Sequence, residues 1–390
     1  MLEKRYLHNP IIEDLQEKMV FIGGPRQVGK TTLSQEIIAT TFKHSAYYNW
    51  DNLQDRSVIL NSEWPSDAEL IILDEIHKSR QWKSRIKGEY DKHKHDYKFL
   101  ITGSARLDLY RKGSDSLQGR YHYYRLHPFS IAELLHYKNK FIPFSAFSFH
   151  QNNPIDLLAP LIKFGGFPEP FLKQNDRHLR RWQQDRIDRL FREDIRDMEQ
   201  IRELNHMQLL IEYLPKTIAS PFSINTIRED LDVSHKTAGH WIDILESFYY
   251  HYRIYPFASK TFRSLKKMPK LYLWDWSQTE TEGARFENLI ASHLLKFVHF
   301  LHDYEGFKAE LWYLKDTEKR EVDFLVTVDK KPWFACEVKL TDQNISPSTF
   351  YFKEKLNIPY VFQVIKTDQV DFTKNGVRVI SASKFLGGLI

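Results

Sequence analysis

The octet Gly24-Pro25-Arg26-Gln27-Val28-Gly29-Lys30-Thr31, followed by Thr32, constrains this chain more than any other feature. It has the spacing G-x-x-x-x-G-K-[ST], follows an apolar run from Met19 to Gly23, and opens a helical pattern. The glycines let successive backbone N–H groups turn inward at a helix N-terminus, where the helix dipole favours an anion. Strand, loop and helix in that order belong to a parallel α/β sheet. The competing reading is a glycine-rich turn before an ordinary helix. A second element weighs against it.

That element is Leu70-Ile71-Ile72-Leu73-Asp74-Glu75, an apolar strand ending in two acids, the form of a Walker B motif. Taken together, the two motifs imply a bound nucleoside triphosphate, ATP by expectation, with Mg²⁺. Residues Gly24 to Thr32 would form the phosphate cradle. Lys30 would bridge the β- and γ-phosphates, and Thr31 would hold Mg²⁺ through its hydroxyl, with Asp74 anchoring the ion through water. Glu75 would orient and polarise the attacking water, which is general-base work. Thr102, at the tip of the strand Phe99-Leu100-Ile101, is placed to sense the γ-phosphate, with simple turn chemistry as the alternative for Thr102-Gly103-Ser104. Arg120 is a weaker candidate for stabilising phosphate charge, in cis or on a neighbour's nucleotide. Strands are expected at 19–23, 46–51, 70–74, 98–102 and 122–126, and runs such as Leu70 to Leu73 read as buried on both faces of the sheet.

A chain of 390 residues is long enough for two or three domains. One cysteine, Cys336, excludes an internal disulfide and a cysteine-based zinc site. No apolar run approaches the ~20 residues that span a bilayer, and the first residues are charged, so a cytoplasmic chain without a membrane partner is expected. The net charge of +5 permits nucleic-acid binding without arguing for it.

After Pro128-Phe129-Ser130 the pattern turns helical. Residues 177–200 read as an amphipathic connecting helix with Leu190, Phe191 and Ile195 on its apolar side. From 202 to 258, a short helix at Ser223-Ile224-Asn225, a turn at Val233-Ser234, a helix from His235 to Glu246 and β-rich residues around 248–256 suit a helix-turn-helix with a wing. That helix carries His235, Lys236 and His240, but also Asp243 and Glu246, so it reads equally well as a packing module. Lys260, Arg263, Lys266, Lys267 and Lys270 are better candidates for phosphate contacts, with a solvated loop as the alternative. From about Lys270 the chain becomes α+β, with a helix near 284–299 and strands near 311–313, 322–328, 333–340 and 360–364.

In order, Gly24 to Thr32, Leu73-Asp74-Glu75, Thr102-Gly103-Ser104, Gly119-Arg120, Pro128-Phe129-Ser130, Gly165-Gly166-Phe167-Pro168, Glu321-Val322-Asp323-Phe324 and Glu337-Val338-Lys339 resemble one family. It is that of the prokaryotic AAA-type ATPases with a conserved C-terminal domain of uncertain role. The resemblance runs from about residue 15 to about 340. It implies an ASCE-type sheet in which the Thr102 strand lies between the P-loop and Walker B strands. It also implies a winged helix near 202–258. The expected layout is a P-loop AAA-type ATPase domain over 1–145 and a helical connector over 146–201. A winged-helix-like region over 202–268 and an α+β restriction-endonuclease-like domain over 269–390 would follow. Tyr313-Leu314-Lys315 departs from the family, which usually has an aromatic pair and an arginine there.

The last region holds a constellation of its own. Asp323 lies in the apolar strand Val322 to Val326, and Glu337 and Lys339 share one face of the strand Phe334 to Leu340. Two carboxylates and a lysine so placed could hold Mg²⁺ and activate water against a phosphodiester. The arrangement resembles PD-(D/E)xK nucleases, and Glu287 matches an acid that those enzymes place before the core. The alternative is a Glu337–Lys339 ion pair on a half-exposed strand. Two functional expectations follow: an ATP-dependent enzyme acting on DNA or RNA, or a nucleotide-controlled regulatory protein whose last domain binds a partner without catalysis. An arginine acting in trans would require an oligomer, but Arg120 is too weak a warrant to name one.

Overall fold

The computed structural model describes residues 4–103, 117–150, 155–191, 204–258, 268–341 and 344–390. The chain divides into two compact units, Met1–His127 and Pro128–Ile390. Ser104, Ile195, Lys260, Arg263, Lys266 and Lys267 lie outside the described residues.

The first unit is built on five strands, β1 (Met19–Gly23), β2 (Ser45–Asn49), β3 (Leu70–Asp74), β4 (Lys98–Thr102) and β5 (Tyr121–Arg125). Their order is β2-β3-β4-β1-β5, and every neighbouring pair is parallel. β1 and β3 are buried along their whole length, as strands covered on both faces must be. The helices are α1 (His8–Asp14), α2 (Lys30–Thr41), α3 (Leu53–Asn61) and α4 (Trp82–His93). Phe21, Ile71, Leu73 and Phe99 form one face of the core with Trp82 and Ile86 of α4. β4 lies between β1 and β3, as the sequence resemblance implies. Because all five strands are parallel, Gly23, Asp74 and Thr102 end at the same edge of the sheet, where open α/β sheets bind their ligands.

In the second unit, three helices (Leu204–Tyr213, Ile224–Asp230 and His235–Ser247) precede β6 (His251–Ile254), which pairs antiparallel with β7 (Lys270–Leu273). Pro221 adds an isolated antiparallel bridge to Lys270. The acids of the helix His235–Ser247 are turned to packing. Glu246 accepts from the backbone and side chain of Arg253, and Asp243 takes an Nη2 hydrogen bond of 2.7 Å from the same arginine. His235, Lys236 and His240 are exposed.

The strands β8 (Ala309–Lys315), β9 (Glu321–Val328), β10 (Lys331–Lys339), β11 (Tyr360–Ile365), β12 (Asp371–Lys374) and β13 (Val377–Ser381) form a mixed sheet of order β12-β13-β11-β10-β9-β8. The 22-residue helix Glu282–Asp303 precedes it. Its Lys296 donates to Ser130 Oγ at 2.7 Å and Glu133 Oε2 at 2.6 Å in the interior. Pro128-Phe129-Ser130 is therefore an anchoring segment of this unit. Among the described residues, no helix is long and apolar enough to cross a membrane.

Candidate functional site

The loop 24–29 rises from β1 and ends at the first turn of α2. Gly24 has φ of 139°, and a Cβ there would lie 2.5 Å from the carbonyl oxygen of Leu126. Only glycine fits that place. Gln27 and Gly29 also take positive φ, 62° and 98°. No side chain caps α2, and its first turn carries no acid. The N–H groups of that turn have no intrahelical acceptor, and an anion such as a phosphate suits them. Lys30 is buried, its Nζ donating to the carbonyls of Gly24 at 3.0 Å and Pro25 at 2.8 Å, which holds the ammonium over the loop.

Asp74 gathers the strand tips. It accepts hydrogen bonds from Thr31 Oγ1 at 2.9 Å, Thr102 Oγ1 at 2.5 Å and the hydroxyl of Tyr47 at 2.7 Å. The first two were expected near the nucleotide. Tyr47 was not; it stands on the outer strand β2, next to β3, and the available signal was its place in the strand expected at 46–51. Burial, and then Asp74 itself, pushes the Tyr47 hydroxyl up, so it stays a donor. Glu75 follows in a left-handed conformation with φ of 58°, its N–H donating to Thr102 O. Burial pushes its carboxyl above the ordinary range, while Lys30 and Lys78 oppose the shift. His77 Nε2 lies 3.4 Å from its Oε2.

Pro25, Arg26 and Val28 complete the loop, and Thr32 is exposed on the first turn of α2. Arg5 braces the loop, donating to Val28 O at 2.8 Å and His127 O at 2.6 Å. Arg120 stands elsewhere. It precedes β5, accepts from the N–H of Met19 through its carbonyl, and forms a two-pronged pair with Asp91. With strands rising ~3.3 Å per residue, it lies roughly 15 Å from the phosphate edge. A role for Arg120 on the nucleotide of its own chain is excluded by that distance.

The second constellation assembles around an unforeseen residue. Lys270 Nζ lies 2.7 Å from Glu321 Oε1, 3.3 Å from Glu287 Oε1 and 3.5 Å from Asp323 Oδ1. Lys339 pairs with Glu337 at 2.8 Å, and Asp323 Oδ2 accepts the Val338 N–H at 2.8 Å. The structure thus brings Glu287 and Asp323 together on an ammonium, and sets Glu337 and Lys339 beside them. Burial, and then the charge of Asp323, raises Glu287 to about 8 and Glu337 to about 7. One expectation is corrected here. Lys270 is 2% exposed and cannot be a phosphate-contact residue of a surface loop. Among the described residues no group of three or more His, Cys, Asp and Glu is arranged to hold a metal ion. Lys270 stands among Glu287, Glu321 and Asp323 where an ion would meet those acids, which weighs against the Mg²⁺ site expected of Glu287, Asp323 and Glu337.

Comparison with known proteins agrees with the geometry of the first unit. A family model described as an AAA domain matches residues 16–135. The first unit carries an AAA-type P-loop domain, a nucleotide-binding fold. Two further models, each described as a domain of unknown function (DUF8612 and DUF4143), match residues 155–278 and 282–385. The uncharacterized protein MJ1544 of Methanocaldococcus jannaschii is 24% identical over 357 residues, 85% of this chain and 77% of its own length. The uncharacterized protein Rv2008c of Mycobacterium tuberculosis is 22% identical over 337 residues, 83% of this chain and 70% of its own. Among solved structures, the Thermotoga maritima RuvB Holliday junction branch migration motor gives a TM-score of 0.31 at 16% identity, covering 67% of this chain and 92% of its own. The Aeropyrum pernix ORC1 protein, solved in complex with DNA, gives 0.36 at 11% identity, covering 75% and 94%. Scores this low carry no argument about this chain.

Proposed function

We propose that this chain binds and hydrolyses ATP with Mg²⁺ in its first unit, and that the nucleotide cycle controls what the second unit does. The observation that carries the reading is the convergence of Thr31, Thr102 and Asp74 at the mouth of a loop whose lysine is held over an uncapped helix N-terminus. Bound Mg²⁺ would neutralise phosphate charge, and Thr31 and Asp74 are the groups that would hold it. Lys30 and the N–H groups of the first turn of α2 bind phosphate oxygens. Glu75 orients water and takes its proton, and Thr102, tied to Asp74, relays the state of the site to β4.

Lys30→Ala is expected to weaken ATP binding and abolish turnover. Glu75→Gln should keep ATP bound while stopping hydrolysis. Full turnover by the first variant would refute the phosphate site, and unchanged turnover by the second would place the base elsewhere.

For the rest of the chain, the layout is a connector from 146 to 201, a winged helix from 202 to 268 and a nuclease-like fold from 269 to 390. The helix pair followed by β6, which pairs with β7 from the start of the next segment, supports the winged helix. The mixed sheet behind a long helix supports the nuclease-like fold. A second reading makes that last fold cut DNA or RNA, favoured by the Glu337–Lys339 pair beside Asp323. Lys270 in the acid centre favours instead a module that holds a partner under nucleotide control. Cleavage assays with Mg²⁺ or Mn²⁺, with and without ATP, separate the two. Cutting that Asp323→Ala removes would establish the nuclease, and equal cutting by both proteins would assign it to a contaminant or to a different site. The buried, unpaired Cys336 suits a reducing cytoplasm.

A further inference from the structure

A PD-(D/E)xK resemblance calls for a divalent cation among Glu287, Asp323 and Glu337, and the residues present do not fit one. On β7, Lys270 and Tyr272 are two apart and share a face. Asn288 clamps that strand to the long helix, accepting from Leu273 N–H at 2.8 Å and donating to Leu273 O at 2.9 Å. The clamp brings Glu287, one residue earlier, to Lys270. The ammonium has three protons, and it meets three carboxylates at 2.7, 3.3 and 3.5 Å, with its Nζ 5.6 Å over the ring centre of Tyr313.

The acids are committed elsewhere as well. Glu287 Oε1 accepts from the Tyr272 hydroxyl at 2.8 Å, Asp323 Oδ2 from Val338 N–H at 2.8 Å, and Glu321 Oε2 from Lys315 at 2.7 Å. Mg²⁺ demands oxygens converging at about 2.0–2.1 Å in near-octahedral order. Separations of 2.7 to 3.5 Å between nitrogen and oxygen are those of an ammonium in its own cage. The ammonium and its cage also come from different parts of the chain. Lys270 lies in the segment matched over 155–278, and all three acids lie in the segment matched over 282–385.

We propose that Lys270 is the resident cation of this centre, standing in place of a metal, and that removing its ammonium uncovers a divalent-cation site. Without the lysine, three carboxylates in a partly buried site lose the charge that compensates them, a costly state that an added ion relieves. Glu337 Oε2, buried and without a hydrogen-bond partner, supplies a further oxygen. The native centre then works as a cross-brace between the β6–β7 ribbon and the mixed sheet, and partner binding by the second unit needs no divalent ion. This inference rests on the second unit alone and stands or falls independently of ATP hydrolysis.

Mn²⁺ binding to the full-length, nucleotide-free protein, counted by electron paramagnetic resonance, tests it. Wild type and Asp323→Asn should bind equal numbers of ions. Lys270→Met should bind one more per chain, and Lys270→Met/Asp323→Asn should lose it again. Fewer ions on Asp323→Asn than on wild type would overturn the proposal, since the metal and the lysine would then coexist. A folded Lys270→Met that gains no ion would overturn it too. Should Lys270→Met fail to fold, Lys270→Gln, which keeps a donor, takes its place. Recovery of the Met variant by Mn²⁺ would support the proposal as the extra site does.

Discussion

Asp74 receives three hydroxyls, from Thr31, Tyr47 and Thr102, and each does something different. Thr31 ties the carboxylate to the P-loop, Thr102 ties it to β4, and Tyr47 fixes it from the outer strand β2. Hydrogen bonds to a charged group are worth about 1.5–3 kcal/mol each. Tyr47→Phe is therefore expected to raise the Mg²⁺ concentration for half-maximal ATPase activity roughly tenfold or more, with little change in nucleotide affinity at saturating Mg²⁺. An unchanged Mg²⁺ dependence would make Tyr47 a packing residue only. Glu75 supplies a pH test. Burial raises its carboxyl, Lys30 and Lys78 restrain the rise, and only the ionised form can take a proton from water. Turnover should fall as pH drops through that raised value. Lys78→Met, which removes a restraining charge, should move the acid limb of the kcat profile to higher pH. A limb that stays in place would show that another group titrates there.

At the scale of elements, Arg5 joins the P-loop to the exit of β5. Its guanidinium is buried among carbonyls, so Arg5→Ala strands two acceptors at once. The expected loss is roughly 2–4 kcal/mol of stability in the first unit, with weaker ATP binding because the loop loses its brace. Arg5→Lys, a single point charge without the planar fork, should recover only part of either. Denaturant midpoints and ATP titration measure both, and undiminished ATP affinity in a folded Arg5→Ala chain would refute the bracing role. The strands of the first unit were legible because buried parallel strands are apolar from end to end. Expected and observed ends differ by one or two residues at β2 and by one at β5, and not at all at β1, β3 and β4. Arg5 and Tyr47 were not legible. Each acts through neighbours far off in sequence, and each resembles an ordinary surface or strand residue until the sheet order is known. β12 escaped too, since Asp371–Lys374 is exposed at the sheet edge and carries no apolar alternation to announce a strand.

At the scale of the whole chain, the acid centre of the second unit was half legible. Glu287, Asp323, Glu337 and Lys339 stood out as charges among apolar residues, but Lys270 looked like the last member of a basic loop. Only the pairing of β7 with β6 and its clamp to the helix turn it inward. The consequence for stability follows from proton linkage. Glu287 at about 8 and Glu337 at about 7 lie above the ordinary 4.5, with burial the first cause and Asp323 the second. A carboxyl raised on folding binds a proton that the unfolded chain has already released. Its stabilising contribution is complete below about 4.5 and is lost as pH rises through 7 and 8. Lys270, Lys339 and Tyr272 face these acids from β7 and β10, and Lys270 and Lys339 stay charged across that window, so their attraction moderates the loss without reversing its sign. Urea unfolding of the full chain, followed by tryptophan fluorescence at pH 5.5, 7 and 8.5, should show the transition of the second unit moving to lower urea as pH rises. Glu287→Gln keeps the shape and the acceptor from Tyr272 but cannot titrate, so its transition should move less over the same range. Equal movement in wild type and Glu287→Gln would mean that Glu287 is ionised throughout, with the lysine cage strong enough to overcome its desolvation.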